Sequence, residues 1–273
     1  QFRSIDNPAY PRAEYERQRA TLPRWKFEMF CNGNFSRPAG LVYGDYVDSY
    51  APQSASGGFR CAQRSGAVDL TEWKEGVHGH LVRAFSIPSS WLRYVGVDPG
   101  GTEHTALVWL AEEPGTGRYY AYREAIGGGL TGAEHARAAR EYGEPVKLWV
   151  GGAASEEEAR LNWRRAGVAL IETQVGDVDA GIERVIGLLK TRRLFVMDTM
   201  TGLRSELGTY RRELDAAGEP VERIAEKERF HRLDALRYVC SALPLEAPRP
   251  APAPEEGPTR KPRELREVAR RLQ

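Results

Sequence analysis

Two aspartates stand where side chains capable of metal chemistry are usually held. The first closes the run Tyr94-Val95-Gly96-Val97-Asp98-Pro99-Gly100-Gly101, an apolar strand whose last residue meets an immediate Pro-Gly turn. A carboxylate fixed on rigid backbone at a sheet edge is a preorganised metal ligand, although Asp before Pro-Gly also initiates ordinary turns. The second lies in Phe230-His231-Arg232-Leu233-Asp234-Ala235-Leu236-Arg237-Tyr238. Leu233, Leu236 and the pair Val239/Cys240 mark the inner face of a helix, and Asp234 sits beside that face, a costly place for an unpartnered carboxylate. An ion pair with Arg237, or the favourable field of a helix start, would equally account for it. Taken together, the two acids fit phosphodiester hydrolysis. Two divalent ions about 3.5–4 Å apart can activate water and stabilise the leaving oxygen, and hard Mg²⁺ or Mn²⁺ takes oxygen ligands from Asp and Glu. His104 and His231 lie near the aspartates in sequence, to position water or phosphate or simply to pack.

The surrounding elements follow from patterning. Apolar runs at Tyr94–Val97, Thr105–Leu110 and Tyr119–Ala125, separated by Pro-Gly turns, predict three strands joined as hairpins. A helix over Thr131–Tyr142, a strand Val146–Val150, a helix Ser155–Ala166 closed by Gly167 and a strand Val168–Ile171 come next. A helix Asp177–Leu189, a strand Leu194–Met197, a polar hairpin (Tyr210–Leu214 with Val221–Ile224) and a helix His231–Ala242 complete the unit. Strands alternating with helices imply a partly parallel α/β sheet. Residues 1–88 read as a linker or remnant with a helix over Arg12–Phe30 and a Ser/Gly loop at 54–58; 89–245 form the main domain. In 246–273, a Pro-rich run at 247–254 precedes a short charged helix over Arg263–Leu272, read as a docking tail or as disordered chain.

Bulk properties exclude little. The 273 residues are 41% hydrophobic and 28% charged, with a net charge of +1, so attraction to phosphates must come from local patches. No apolar run is long enough to cross a membrane, and no basic-then-apolar leader opens the chain. Cys31, Cys61 and Cys240 fit neither a disulfide framework nor a zinc site and are expected to be reduced.

The order of three hairpin strands with Asp98 on the first, then helix, strand, helix, strand and a late helix carrying Asp234, resembles the RNase H-like nuclease fold. More narrowly, Ile87-Pro88 to Trp91, Tyr94 to Gly100, Gly151-Gly152 to Arg160 and His231 to Tyr238 look like tailed-phage terminase large subunits. Asp6-Asn7-Pro8 and Gly40-Leu41-Val42-Tyr43 are similar to the segment that leaves the packaging ATPase of that family. The resemblance implies an endonuclease that cuts double-stranded DNA with low sequence specificity during viral packaging, using two Mg²⁺ or Mn²⁺ ions. It also implies a terminase small subunit and a portal protein as partners, and a place in the host cytoplasm outside the mature virion. The chain departs from the family twice. It contains no Gly-x-x-x-x-Gly-Lys-Ser/Thr phosphate loop, so it is not expected to translocate DNA by itself. Where many relatives end a strand with an acid, this chain has Gly151-Gly152.

The missing acid is expected to be replaced by Glu156, with Glu157 as alternate. The glycines allow a tight turn, Ser155 fits as N-cap, and Glu158 completes a capping box. First-turn glutamates are also favoured by the helix dipole alone, and Asp198, after the strand Leu194–Met197, is a weaker candidate. Arg211, Arg212, Arg223, Lys227 and Arg229 around the polar hairpin are candidate phosphate contacts, while interleaved Glu213, Glu222, Glu226 and Glu228 fit an ordinary mixed-charge surface. Two other readings stay open. Gly96 to Thr102 resembles the first phosphate turn of actin-like and sugar-kinase folds, without a convincing second copy. A non-catalytic DNA-binding or assembly module of the same fold would explain Gly151-Gly152.

Overall fold

In a computed structural model of the protein, the described residues are 3–21, 27, 30–33, 40–53, 67–100, 104–173 and 176–244. The Ser/Gly stretch 54–58, Cys61, Gly101-Thr102, the Pro-rich run 247–254 and the segment 263–272 lie outside them. Among the described residues, seven strands form one mixed sheet: β1 (Leu81–Val82), β2 (Leu92–Asp98), β3 (Thr105–Glu113), β4 (Arg118–Gly127), β5 (Leu148–Gly151), β6 (Leu170–Ile171) and β7 (Leu194–Met197). Their order across the sheet is β1-β7-β4-β3-β2-β5-β6. The antiparallel β2-β3-β4 core is flanked by β5 and β6, parallel to β2, and by β7 and β1, parallel to β4. This is the expected RNase H-like arrangement.

Six α-helices are described: α1 (Arg12–Thr21), α2 (Gly132–Arg140), α3 (Glu157–Arg165), α4 (Val178–Lys190), α5 (Thr201–Thr209) and α6 (His231–Ser241). Local capping explains several starts. Thr131 and Glu134 form a reciprocal capping box on α2, and Asp177 accepts from the N–H groups of Asp179 and Ala180 at the head of α4. Ser155 is not the N-cap of α3. That helix begins two residues later, with Glu156 itself in the N-cap position.

The alternation of β2 divides its side chains between two cores. Val95 and Val97 pack with Leu107, Trp109, Ala136 and Trp163 under α2 and α3. Tyr94 joins Leu236, Val239, Ile182 and Val185 under α4 and α6. Gly96, on the same face as Tyr94 and Asp98, makes the second contact possible: a Cβ there would lie 1.9 Å from the Ala235 carbonyl oxygen. The missing side chain lets the helix backbone rest directly on the strand.

Part of residues 1–88 is built into the same sheet. β1 pairs with β7, and Tyr43, Tyr46, Ala51 and Val68 belong to the larger core. His80 fastens this segment, its Nδ1 accepting from the Val47 N–H at 3.1 Å while Nε2 lies 3.0 Å from the Leu189 carbonyl oxygen. The polar hairpin forms as β8 (Arg212–Leu214) and β9 (Pro220–Ile224). Cys31 and Cys240 are buried free thiols, and among the described residues no helix is long and apolar enough to cross a membrane.

Candidate metal centre

Parallel pairing brings two chain ends to one edge of the sheet. Val97 stands opposite Gly151, so Asp98 leaves β2 beside the point where Gly152 leaves β5. No side chain fits at the end of β5: a Cβ on Gly151 would lie 2.0 Å from the Val97 carbonyl oxygen, and Gly152 has φ +78°. Instead the chain turns, and the Glu156 side chain folds back until its Oε2 is 3.4 Å from where a Gly152 Cβ would be. That oxygen accepts a hydrogen bond from the Ala153 N–H at 2.6 Å. Glu157 is exposed at the first position of α3.

The third acid arrives on α6. With Ala235 pressed on Gly96, Asp234 is carried to the Asp98 end of β2. Its Oδ1 accepts from the buried Arg237 guanidinium at 2.7 Å, so the ion pair foreseen as an alternative is present. Asp98 Oδ2 lies 2.9 Å from His231 Nδ1, and the His231 ring stacks on His104 with centroids 5.5 Å apart. Among the described residues, Asp98 Oδ1 and Asp234 Oδ2 have no hydrogen-bond partner.

The electrostatics tie the three acids together. Burial pushes the Asp98 carboxyl up to about 6, with the charges of Asp234 and Glu156 adding to the shift and His231 opposing it. The Tyr238 hydroxyl is also raised, first by burial and then by Asp234, Asp98 and Glu156. A desolvated carboxylate facing two like charges favours a proton or a cation. Among the described residues, no group of three or more His, Cys, Asp or Glu side chains is drawn close enough to hold a metal; each acid instead faces its own partner, His231, Arg237 or the Ala153 N–H. The donor set nevertheless suits a hard divalent ion, being all carboxylate oxygen, with Asp98 in excess negative surroundings.

A pH dependence follows. Folded Asp98 keeps its proton up to about pH 6, whereas in the unfolded chain it loses it near pH 4. Stability is therefore fullest below about pH 4 from this group and is lost as pH rises through about 6, by at most roughly 3 kcal/mol. Metal-free unfolding of the parent minus that of Asp98→Asn, compared at pH 4.5 and pH 7, is expected to show this loss; a flat difference would contradict the raised carboxyl.

Other candidates lie elsewhere. Asp198 directly follows β7, three strands from β2 in the sheet, roughly 14 Å away at about 4.8 Å per strand. It receives the Ala84 N–H at 3.0 Å and the Tyr50 hydroxyl at 3.1 Å, a structural role. Of the basic residues, Arg212 pairs with Asp179 at 2.9 Å, Arg223 with Glu213 at 3.6 Å, and Arg229 with Glu226. Lys227 lies in the short turn before α6. Arg211 and Arg229 line a cleft of about 500 Å³ together with Arg232, Glu206 and Phe230. His231, left undecided from sequence, proves to be the hydrogen-bond partner of Asp98, a contact made across 133 residues.

No family model matches the sequence, and no curated protein matches it. Among solved structures, the large terminase of the thermophilic bacteriophage D6E superposes with a TM-score of 0.54 at 19% identity, covering 88% of this chain and 54% of that one. The nuclease domain of the P22 large terminase (TM-score 0.48, 18% identity, 63% of this chain and 91% of that one) also matches. So does the large terminase nuclease of the thermophilic phage G20c (0.49, 15%, 75% and 100%). The D6E likeness establishes a shared fold, and the chain spans 54% of that protein's length.

Proposed function

We propose, taking as premise the fold shared with the D6E large terminase, that this chain is the DNA-cutting part of a phage packaging terminase: a divalent-metal-dependent endonuclease acting on duplex DNA. The observation that carries the reading is that Asp98, Asp234 and Glu156 lie at the same end of the sheet without yet closing on one point, with Asp98 desolvated and opposed by the other two charges. The nuclease unit is residues 89–245 together with the part of 1–88 that pairs and packs with its sheet; the rest of 1–88 is the linker of the packaging ATPase, and 246–273 are the Pro-rich tail. The small subunit and the portal are the expected partners.

Asp98, Asp234 and Glu156 would hold the ions, with Glu157 as alternate. Two bound Mg²⁺ or Mn²⁺ ions would supply an activated water and a charge sink for the leaving oxygen. Asp98, Asp234 and Glu156 each keep one oxygen outside their hydrogen bonds to His231, Arg237 and the Ala153 N–H. His231 orients the Asp98 carboxylate. Arg211, Arg212, Arg223, Lys227 and Arg229 are proposed to take backbone phosphates, which positions DNA without reading its sequence.

Supercoiled plasmid incubated with Mn²⁺ is expected to be nicked and linearised by the parent and left intact when the metal is chelated. Glu156→Gln keeps the shape and removes the charge, so the rate should fall on the order of 10²-fold, while Glu157→Gln cuts like the parent. Equal cutting by both variants would remove Glu156 from the site. The non-catalytic DNA-binding reading draws support from the spread of the three acids. A parent that binds duplex DNA but leaves it uncut in both metals would establish that alternative.

A further inference from the structure

Two successive helices begin without a capping side chain of their own. α5 follows Met200 and α6 follows Phe230, neither of which supplies a cap hydrogen bond. Their free N–H groups are satisfied from other elements. Glu124 of β4 accepts from the N–H of Gly202 at 2.8 Å and of Leu203 at 2.7 Å, closing the head of α5. Glu206, buried on α5, accepts from the Leu233 N–H at 3.0 Å and from Arg232 Nη1 at 2.9 Å, closing the head of α6. Arg232 ties the two caps together, with Nε 3.1 Å from Glu124. Position 230 is meanwhile occupied by an aromatic ring packed edge-on against Tyr210 at 4.9 Å.

Burying a carboxylate to do what a serine or aspartate at position 230 would do locally is costly. The arrangement has one further effect. The turn that Glu206 grips contains His231 and leads directly to Asp234, so the placement of both against Asp98 is set from α5. We propose that Glu206 is a positioning residue of the candidate metal centre, holding the first turn of α6 so that His231 and Asp234 face Asp98. The inference rests on the metal-dependent reading above, and its test separates the two.

Mn²⁺ affinity, read from the metal-dependent rise in unfolding temperature, is to be compared among the parent, Glu206→Ala, Glu206→Gln and Leu207→Ala, a core truncation on the same helix. Amide exchange at Leu233 and Asp234 is measured alongside. Glu206→Ala is expected to weaken Mn²⁺ binding about tenfold and to speed exchange at Leu233 and Asp234 relative to Val239. Glu206→Gln, which keeps an acceptor for the Leu233 N–H, should recover most of the affinity, and it carries the test if the alanine variant fails to fold. Leu207→Ala should lose stability but bind Mn²⁺ within about twofold of the parent. Parent-like Mn²⁺ affinity in Glu206→Ala, or an equal loss in Leu207→Ala, would overturn the positioning role and leave the metal centre standing. A parent that gains no stability from Mn²⁺ would instead overturn the metal centre, and the role of Glu206 with it.

Discussion

Gly96→Ala is expected to cost about 3 kcal/mol or more and to abolish DNA cutting. The added Cβ would lie 1.9 Å from the Ala235 carbonyl oxygen, and both are main-chain positions with no flexible side chain to yield. Overpacking of this kind is relieved only by moving an element, and the element free to move is α6. As it lifts, Asp234 and His231 leave Asp98. Urea unfolding and Mn²⁺-dependent cutting should therefore fail together. Gly187→Ala is the counterpart: it lies inside α4 and, its own helix backbone aside, the new Cβ meets nothing within 4 Å, so it should gain about 0.5–1 kcal/mol from helix propensity and cut normally. Near-parental stability in Gly96→Ala would mean that the helix does not rest on the strand as described.

Asp98→Asn and Asp234→Asn should both lose cutting, by at least about 10²-fold, since each removes a charge that a divalent ion needs. Their metal-free stabilities should move in opposite directions. Asp98 is held among like charges with its carboxyl raised, so neutralising it relieves strain and stabilises the protein at pH 7. Asp234 neutralises Arg237, which is 5% exposed and within 2.7 Å. Removing that charge leaves a buried guanidinium without its partner, a loss of about 3 kcal/mol. The Arg237 ion pair, one of the alternatives that the sequence leaves open for Asp234, is what separates the two aspartates. Unfolding curves in chelator test the split; stabilisation by Asp234→Asn would show that Arg237 does not depend on it.

The parts of the fold legible in the sequence are those set by local patterning. The strand Leu194–Met197 has the bounds that its apolar run predicts, and the helix from His231 ends within a residue of expectation. α5 was missed because nothing in Thr201–Thr209 announces it: it contains Gly202 and Gly208, and its cap is Glu124, 78 residues earlier. β1 is two residues long and exists through its neighbour β7 and a bridge from Leu81 to Tyr50, neither of them local in sequence. The Ser155 cap failed for a related reason, since the tight turn at Gly152 is completed by Glu156 binding the Ala153 N–H, which delays the helix. For the candidate site, residue type and strand ends pointed to Asp98, Asp234 and Glu156. Their partners, His231 for Asp98 and Glu206 for the head of α6, are contacts between distant segments and leave no local trace.

The resting of α6 on Gly96 also sets a timetable. The His231–Asp98 contact spans 133 residues, and a ribosome adding about 5–20 residues per second needs on the order of ten seconds to make that length. Through that interval the emerging chain already contains Asp98 and then Glu156, but not the helix that brings the third acid. On the proposed function, a polypeptide still being translated would lack the third acid of the site, and cutting would wait until the last described helix docks.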